Sequence, residues 1–203
     1  MRKDFVCLAS ASPRRSELLR QIGVPFQVRP AAIPEEQAPG EAPGAYVLRL
    51  AVAKAAAVWS SLERSGEEAR PVLAADTAVV LDGQVLGKPA DAAQAEAMLA
   101  ALSGRAHRVL TAVALKTSAG ADTLLCESEV RFRATTPAER RAYCATGEPF
   151  DKAGGYGIQG HAAVFVEHLR GSYSSVVGLP LYETAVLLAR HGISFWLPAE
   201  AAV

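Results

Sequence analysis

The chain has 203 residues, half of them apolar, with Lys+Arg and Asp+Glu equal at 21 each. That length suffices for one domain, or two small lobes, around a sizeable core. A formal net charge of zero excludes a global field for a nucleic-acid duplex or an anionic membrane, so any anion must be handled by a local group of basic residues. Cys7, Cys126 and Cys144 are odd in number and far apart, which suits neither a zinc site nor a disulfide framework. The N-terminal MRKDFVCLASASPRR lacks the apolar stretch of a signal peptide. No window gives the ~20 apolar residues that span a bilayer. A cytoplasmic protein with reduced thiols, and with neither nucleic acid nor membrane as a partner, is expected.

Strands and helices alternate along the chain. The apolar run 5–9 reads as a buried strand. It leads into a helix with Ser12 as N-cap and Pro13 at its first position, whose apolar face is Leu18, Leu19 and Ile22 and whose end is Gly23. Residues 30–44, rich in Pro, Gly and Glu, read as a loop before a helix over 43–60 with Tyr46, Val47, Leu50 and Ala53 on its apolar face. After a polar turn over 65–70 comes a strand over 72–81. Asp82-Gly83 is a two-residue hairpin signal before a strand over 84–86. Asp91 can cap a helix over 92–102, closed by Gly104. Two long strands over 107–116 and 123–133 flank a turn. Thr136-Pro137-Ala138-Glu139 has the form of a capping box for a helix to about 145. A glycine-rich stretch over 154–160, a strand over 163–168, a helix over 179–191 and a short strand over 193–196 complete the chain. The fold class is α/β or α+β, with hairpins that make the central sheet mixed.

Three segments carry chemistry. Ser10-Ala11-Ser12-Pro13-Arg14-Arg15 puts two hydroxyls and two guanidiniums at a strand-to-helix junction, where unpaired N–H groups and partial positive charge suit a phosphate; a capped helix with two solvated arginines is the alternative. Asp76-Thr77 lies inside an apolar strand. An unpaired carboxylate is costly to bury there, so Asp76 either emerges to hold a cation or orient water, or is bonded to nearby backbone. Lys88, across the Asp82-Gly83 hairpin, is tethered closely enough to come back toward Asp76. Residues 146–160 contain Gly147, Gly154, Gly155, Gly157 and Gly160; they allow close approach to a ligand or form a flexible loop. This stretch is neither a Walker A nor a Rossmann fingerprint. His107, His161, His168 and His191 show no metal-ligand spacing and read as structural or exposed. Ser172-Tyr173-Ser174-Ser175 lacks the nucleophile-elbow form.

Taken in order, these segments resemble the Maf family. The matching stretches are Leu8-Ala9-Ser10-Ala11-Ser12-Pro13-Arg14-Arg15-x-x-Leu18-Leu19, Arg49-Leu50-Ala51-x-x-Lys54-Ala55, Ala75-Asp76-Thr77, Gly87-Lys88-Pro89, Ser103-Gly104-x-x-His107, the 146–160 loop, and Gly171-Ser172-Tyr173-x-x-Val176-Val177-Gly178-Leu179-Pro180. The resemblance implies one domain over 1–203, an α/β fold of Maf/ITPase-like type with two lobes sharing an active-site cleft, and a possible homodimer. It implies hydrolysis of nucleoside triphosphates between the α and β phosphates, supported by Mg²⁺ or Mn²⁺. By motif, Asp76 resembles the family's general base and Glu35 its acidic partner, the pair also resembling the metal ligands. Lys54 and Lys88 complete the catalytic set, and Ser10, Ser12, Arg14 and Arg15 resemble the phosphate-contacting set. The family often has Ile-Asp before that Glu, whereas this chain has Ile33-Pro34-Glu35-Glu36, so Glu36 is the alternative partner. Arg14, Thr77 and Gln159 resemble the subgroup acting on dTTP and UTP. A methylated-guanine nucleotide is the runner-up substrate, and a septum-formation regulator with a vestigial nucleotide site is the reading from a different class.

Overall fold

A computed structural model of the chain describes residues 5–68 and 70–196. The order of elements is β1 (Val6–Leu8), α1 (Pro13–Gln21), β2 (Phe26–Val28), α2 (Pro43–Ser65), β3 (Val72–Leu81), β4 (Gln84–Leu86), α3 (Ala92–Leu102), β5 (Ala106–Thr117), β6 (Gly120–Phe132), α4 (Pro137–Ala145), β7 (Val166–Arg170), α5 (Tyr173–Val177) and α6 (Leu181–Arg190). The strands form a mixed sheet in the order β2-β1-β3-β5-β6-β7, with β4 paired to β3. β1 runs parallel to β2 and β3, while the β3–β4 and β6–β7 pairs are antiparallel. The fold is therefore α/β with a mixed central sheet, as the alternation of elements predicts.

The chain divides into two compact units, one of residues 1–76, 111–126 and 178–203, the other of 77–110 and 127–177. In the first unit β1 is wholly buried as Val6, Cys7 and Leu8. α2 turns Val47, Leu50, Ala51, Ala55, Val58 and Leu62 inward at helical spacing. A fully buried Leu or Val of this kind contributes roughly 1.5–3 kcal/mol. By length and composition α2 could cross a membrane, a helix that the apolar-window reading misses. Its apolar face is covered by protein instead. The core of the second unit joins Val79, Leu99, Leu102, Val109, Val130, Phe132, Tyr143, Tyr156 and Phe165. Its aromatic rings meet edge to face: Phe132 and Tyr156 lie 4.8 Å apart, and Tyr143 and Phe165 5.5 Å apart.

Local signals account for most boundaries. Asp82 (φ 51°) and Gly83 (φ 80°) make the β3–β4 turn, the left-handed pair a two-residue hairpin requires. The Asp91 side chain accepts from the Gln94 N–H at the start of α3. Thr136 and Glu139 form the expected capping box at α4. At α1, Ser12 stands at the N-cap position but makes no side-chain cap bond.

Four readings need correction. The three-residue β2 is absent from the sequence reading, because it is too short to show alternation. α5 is also unforeseen. The strand expected over 163–168 begins only at Val166, since 161–165 turn as a 3₁₀ helix that delivers Phe165 to the aromatic core. Residues 193–196 form no strand: the Ile193 N–H returns to the Leu188 carbonyl at 2.9 Å to close α6, and the Trp196 N–H donates to Ile22 O at 2.6 Å. The residues from Ala199 onward, read as a tail, lie outside those described. Cys7, Cys126 and Cys144 are unbridged and buried.

Candidate active site

β3 carries Asp76 between Ala74, Ala75 and Ala78, each at most 1% exposed, and Asp76 itself is 7% exposed. A carboxylate so placed needs a partner. The partner comes from α2. Lys54 falls on the same helical stripe as Val47, Leu50 and Val58, so its stem is packed in the core and its ammonium reaches the strand. Lys54 Nζ donates to Asp76 Oδ1 at 2.7 Å and meets Glu35 Oε1 at 2.6 Å. One buried cation thus bridges two carboxylates from a strand and a loop.

The loop over 30–44 is held to α2 by two side chains. The Tyr46 hydroxyl donates to the Glu35 carbonyl at 2.8 Å. Arg49 donates to the Glu36 carbonyl at 3.0 Å and to both oxygens of Glu41 at 2.6 and 2.7 Å. Glu35 and Glu36 are both exposed residues, and it is the Glu35 side chain that reaches Lys54. Tyr46 reads from the sequence as a member of the apolar face, and Arg49 is quoted there only within a motif. Their loop-holding bonds are not legible in the sequence.

The Ser10–Arg15 segment closes the same unit. Ser10 is 6% exposed, and its Oγ accepts from the Ser12 N–H and from Arg15 Nη1, each at 3.2 Å. Arg15 Nε donates to the Gly178 carbonyl at 2.8 Å. Burial lowers the pKa of the Arg15 guanidinium, Asp76 opposes that shift, and neighbouring Arg14 adds to it. Arg15 is therefore a fixed, buttressed cation rather than a solvated one, against the simple capped-helix alternative. For Asp76, burial raises the pKa, Lys54 and Arg15 pull it down, and Glu35 raises it further, the net shift being upward. The carboxylate is more basic than an ordinary aspartate, and its charge depends on Lys54.

Thr77, Lys88 and Gln159 belong to the second unit. Thr77 follows Asp76 on β3 and faces the opposite side of the strand. Lys88 and Gln159 are exposed. The Gly154 N–H donates to the Gly87 carbonyl at 2.9 Å, which places the Gly87-Lys88-Pro89 turn against the glycine-rich segment. Residues 154–158 of that segment are all buried. Gly154, at φ +69°, has Val79 where a Cβ would stand, 2.9 Å away. The segment is thus packed, against the flexible-loop alternative. His107 is a core residue as expected: its Nε2 lies 2.7 Å from the Tyr156 hydroxyl. Burial lowers its pKa to about 4, so the ring is neutral.

A family model described as Maf-like protein matches residues 5–191. A protein named dTTP/UTP pyrophosphatase from Burkholderia thailandensis is 53% identical over 200 residues, covering 94% of this chain and 95% of that one. Another of the same name, from Nitrosomonas europaea, is 50% identical over 199 residues, covering 94% and 96%. A third, from Aromatoleum aromaticum, is 51% identical over 196 residues, covering 92% and 95%. A solved structure titled "The structure of the Staphylococcus aureus Ham1 protein" aligns with TM-score 0.42 and 13% identity, over 63% of this chain and 71% of that one; so remote a likeness carries no argument.

Proposed function

This chain belongs to the Maf-like protein family, and on that premise we propose that it hydrolyses dTTP and UTP to the monophosphate and pyrophosphate. The observation behind the chemistry is the Asp76–Lys54–Glu35 bridge. Asp76, kept ionised by Lys54 yet made basic by burial, takes a proton from water. The water oxygen forms a bond to the α-phosphorus, the bond from that phosphorus to the α–β bridging oxygen breaks, and pyrophosphate leaves. A positioned general base contributes typically 10²–10⁴-fold to such a step. Arg14, Arg15, Ser10 and Ser12 are the proposed phosphate contacts of the first unit, and Lys88, Thr77 and Gln159 are the substrate contacts of the second. A triphosphate carries about four negative charges, which this basic set together with a cation can neutralise.

Among the described residues no group of three His, Cys, Asp or Glu side chains converges as a metal cage. Asp76 and Glu35 offer two carboxylates. That donor set suits Mg²⁺ or Mn²⁺ completed by water and substrate phosphate, since Mg²⁺ in particular uses one or two carboxylates plus phosphate oxygens. Held there, the cation would polarise the α-phosphate and lower the pKa of water. Free nucleoside triphosphates are a cytoplasmic pool, and unbridged cysteines suit a reducing compartment.

For base choice, Gln159 offers one carbonyl acceptor and two amide donors, enough to bond the N3–H and a carbonyl of uracil or thymine. Cytosine presents an amine and an unprotonated N3 instead, and a fixed amide leaves groups unpaired against it. The test is kcat/KM with Mg²⁺ or Mn²⁺ over dTTP, UTP, CTP, the purine triphosphates and 7-methyl-GTP. The expected order puts dTTP and UTP first. Equal rates across the panel, or a purine in first place, would refute the assignment.

A further inference from the structure

The turn that carries Gln159 is bracketed from outside. At its start the Gly157 N–H donates to the Tyr143 hydroxyl oxygen at 3.3 Å. At its end the His161 N–H donates to Glu148 Oε2 at 2.8 Å, and the His161 ring Nδ1 lies 2.8 Å from the same oxygen. The Tyr143 hydroxyl in turn donates to Glu148 Oε1 at 2.9 Å. A hydroxyl can accept and donate at once, so one carboxylate ties both ends together. Between them the Gly160 N–H closes onto the Gly157 carbonyl at 3.0 Å, and Gln159 is exposed at the crown.

The bracket is built rather than incidental. The Glu148 side chain is only 14% exposed, whereas the His161 ring is 73% exposed. A Cβ at Gly160 would collide with the Glu148 carboxylate, and one at Gly157 would stand 2.8 Å from Lys152 Cε. Lys152 Nζ also donates to the Glu148 carbonyl at 2.8 Å. Burial would raise the Glu148 pKa, but bonds from His161 and Tyr143 hold it below the usual carboxylate range. It accepts as an anion, and such charge-assisted bonds are roughly twice as strong as neutral ones.

We propose that Glu148, with Tyr143 and His161, is a positioning device that fixes the Gln159 turn and so makes its amide discriminate a pyrimidine with N3–H and a C4 carbonyl from one with a C4 amine. This rests on Gln159 as the base reader. An amide on a loose turn could rotate to serve cytosine as well as uracil. An amide on a turn held at both ends leaves a mismatched base with unpaired polar groups. Loosening the bracket therefore broadens base choice, an effect distinct from loss of the fold.

The experiment measures kcat and KM for UTP and CTP, with urea midpoints, in wild type, His161→Ala, Glu148→Gln, Gln159→Ala and the Glu148→Gln/Gln159→Ala double variant. His161→Ala removes a largely exposed ring, so its fold survives even if Glu148→Gln is poorly tolerated. The expected result is a UTP/CTP ratio of kcat/KM lowered by roughly tenfold in each bracket variant, mainly through KM for UTP. The double variant should go no lower than Gln159→Ala alone. A ratio that collapses in Gln159→Ala but is unchanged in both bracket variants would overturn the positioning role and leave the base reader standing. Equal losses on UTP and CTP with a lowered midpoint would overturn it as well, marking a purely structural carboxylate. A ratio indifferent to Gln159→Ala would overturn both readings.

Discussion

Replacing Lys54 with Met keeps the length of the side chain and removes the cation between Asp76 and Glu35. Asp76 and Lys54 side chains are 9% and 11% exposed, while Glu35 is 47% exposed. Breaking a fully buried pair costs roughly 3–5 kcal/mol. Glu35 can hydrate, so the expected loss is smaller, about 2–3 kcal/mol at neutral pH. For a chain of this size that is a fall in Tm of roughly 5–10 °C. The kinetic consequence has a definite sign. Lys54 is the first cause lowering the Asp76 pKa, and burial and Glu35 both raise it. Without Lys54 the pKa rises further, so the acid limb of the kcat/KM profile moves to higher pH. The stability gap has a sign too. A carboxylate whose folded pKa is raised favours the fold below its unfolded pKa and loses that contribution as pH rises through the folded value. The variant should therefore be closest to wild type in acid and furthest from it at neutral pH. Thermal melts over a pH series and steady-state profiles with dTTP measure both. An acid limb that stays in place, or a stability gap that widens in acid, would refute the coupling of Lys54 to Asp76.

Asp76→Asn keeps the size of the side chain and removes the base; turnover should fall by roughly 10²–10⁴ with an unchanged circular dichroism spectrum, and activity within about threefold of wild type would remove the role. Lys88→Ala alters an exposed side chain, so Tm should move by no more than about 2 °C while kcat/KM drops; Arg14→Ala should likewise affect kinetics before stability. A large Tm drop with unchanged kinetics would make either residue structural. The His107 pKa is lowered by burial from 6.5 to about 4, so its contribution is present above pH 6.5 and lost as pH falls toward 4, a loss of ~3 kcal/mol at 1.36 kcal/mol per unit. His107→Phe should flatten the fall in Tm between neutral pH and pH 4; parallel curves would contradict this.

Asp76 was legible because a carboxylate inside Val72–Leu81 conflicts with the burial that such a strand implies. Lys54 was not legible from the residues alone. On a helical wheel it interrupts the apolar stripe of α2, and only the family resemblance marks it. The choice between Glu35 and Glu36 has no periodic signal, because their loop takes its register from Tyr46 and Arg49, further along the chain. The glycines of the 154–160 stretch could be noticed but not explained. Their reason is contact with Val79, Lys152 and Glu148, which are distant or folded back in ways that spacing does not reveal. The strands and helices with local signals, such as the Asp82-Gly83 turn and the Thr136–Glu139 box, were placed closely. The short β2 and α5 depend on tertiary pairing and packing, and no propensity announces them.

The central claim is attack of water on the α-phosphorus, and ¹⁸O-labelled water with ³¹P NMR of the dTTP products tests it most directly. The expected products are dTMP and pyrophosphate, with the label in the dTMP phosphate and none in the pyrophosphate. Label in the pyrophosphate, or dTDP with inorganic phosphate, would contradict it.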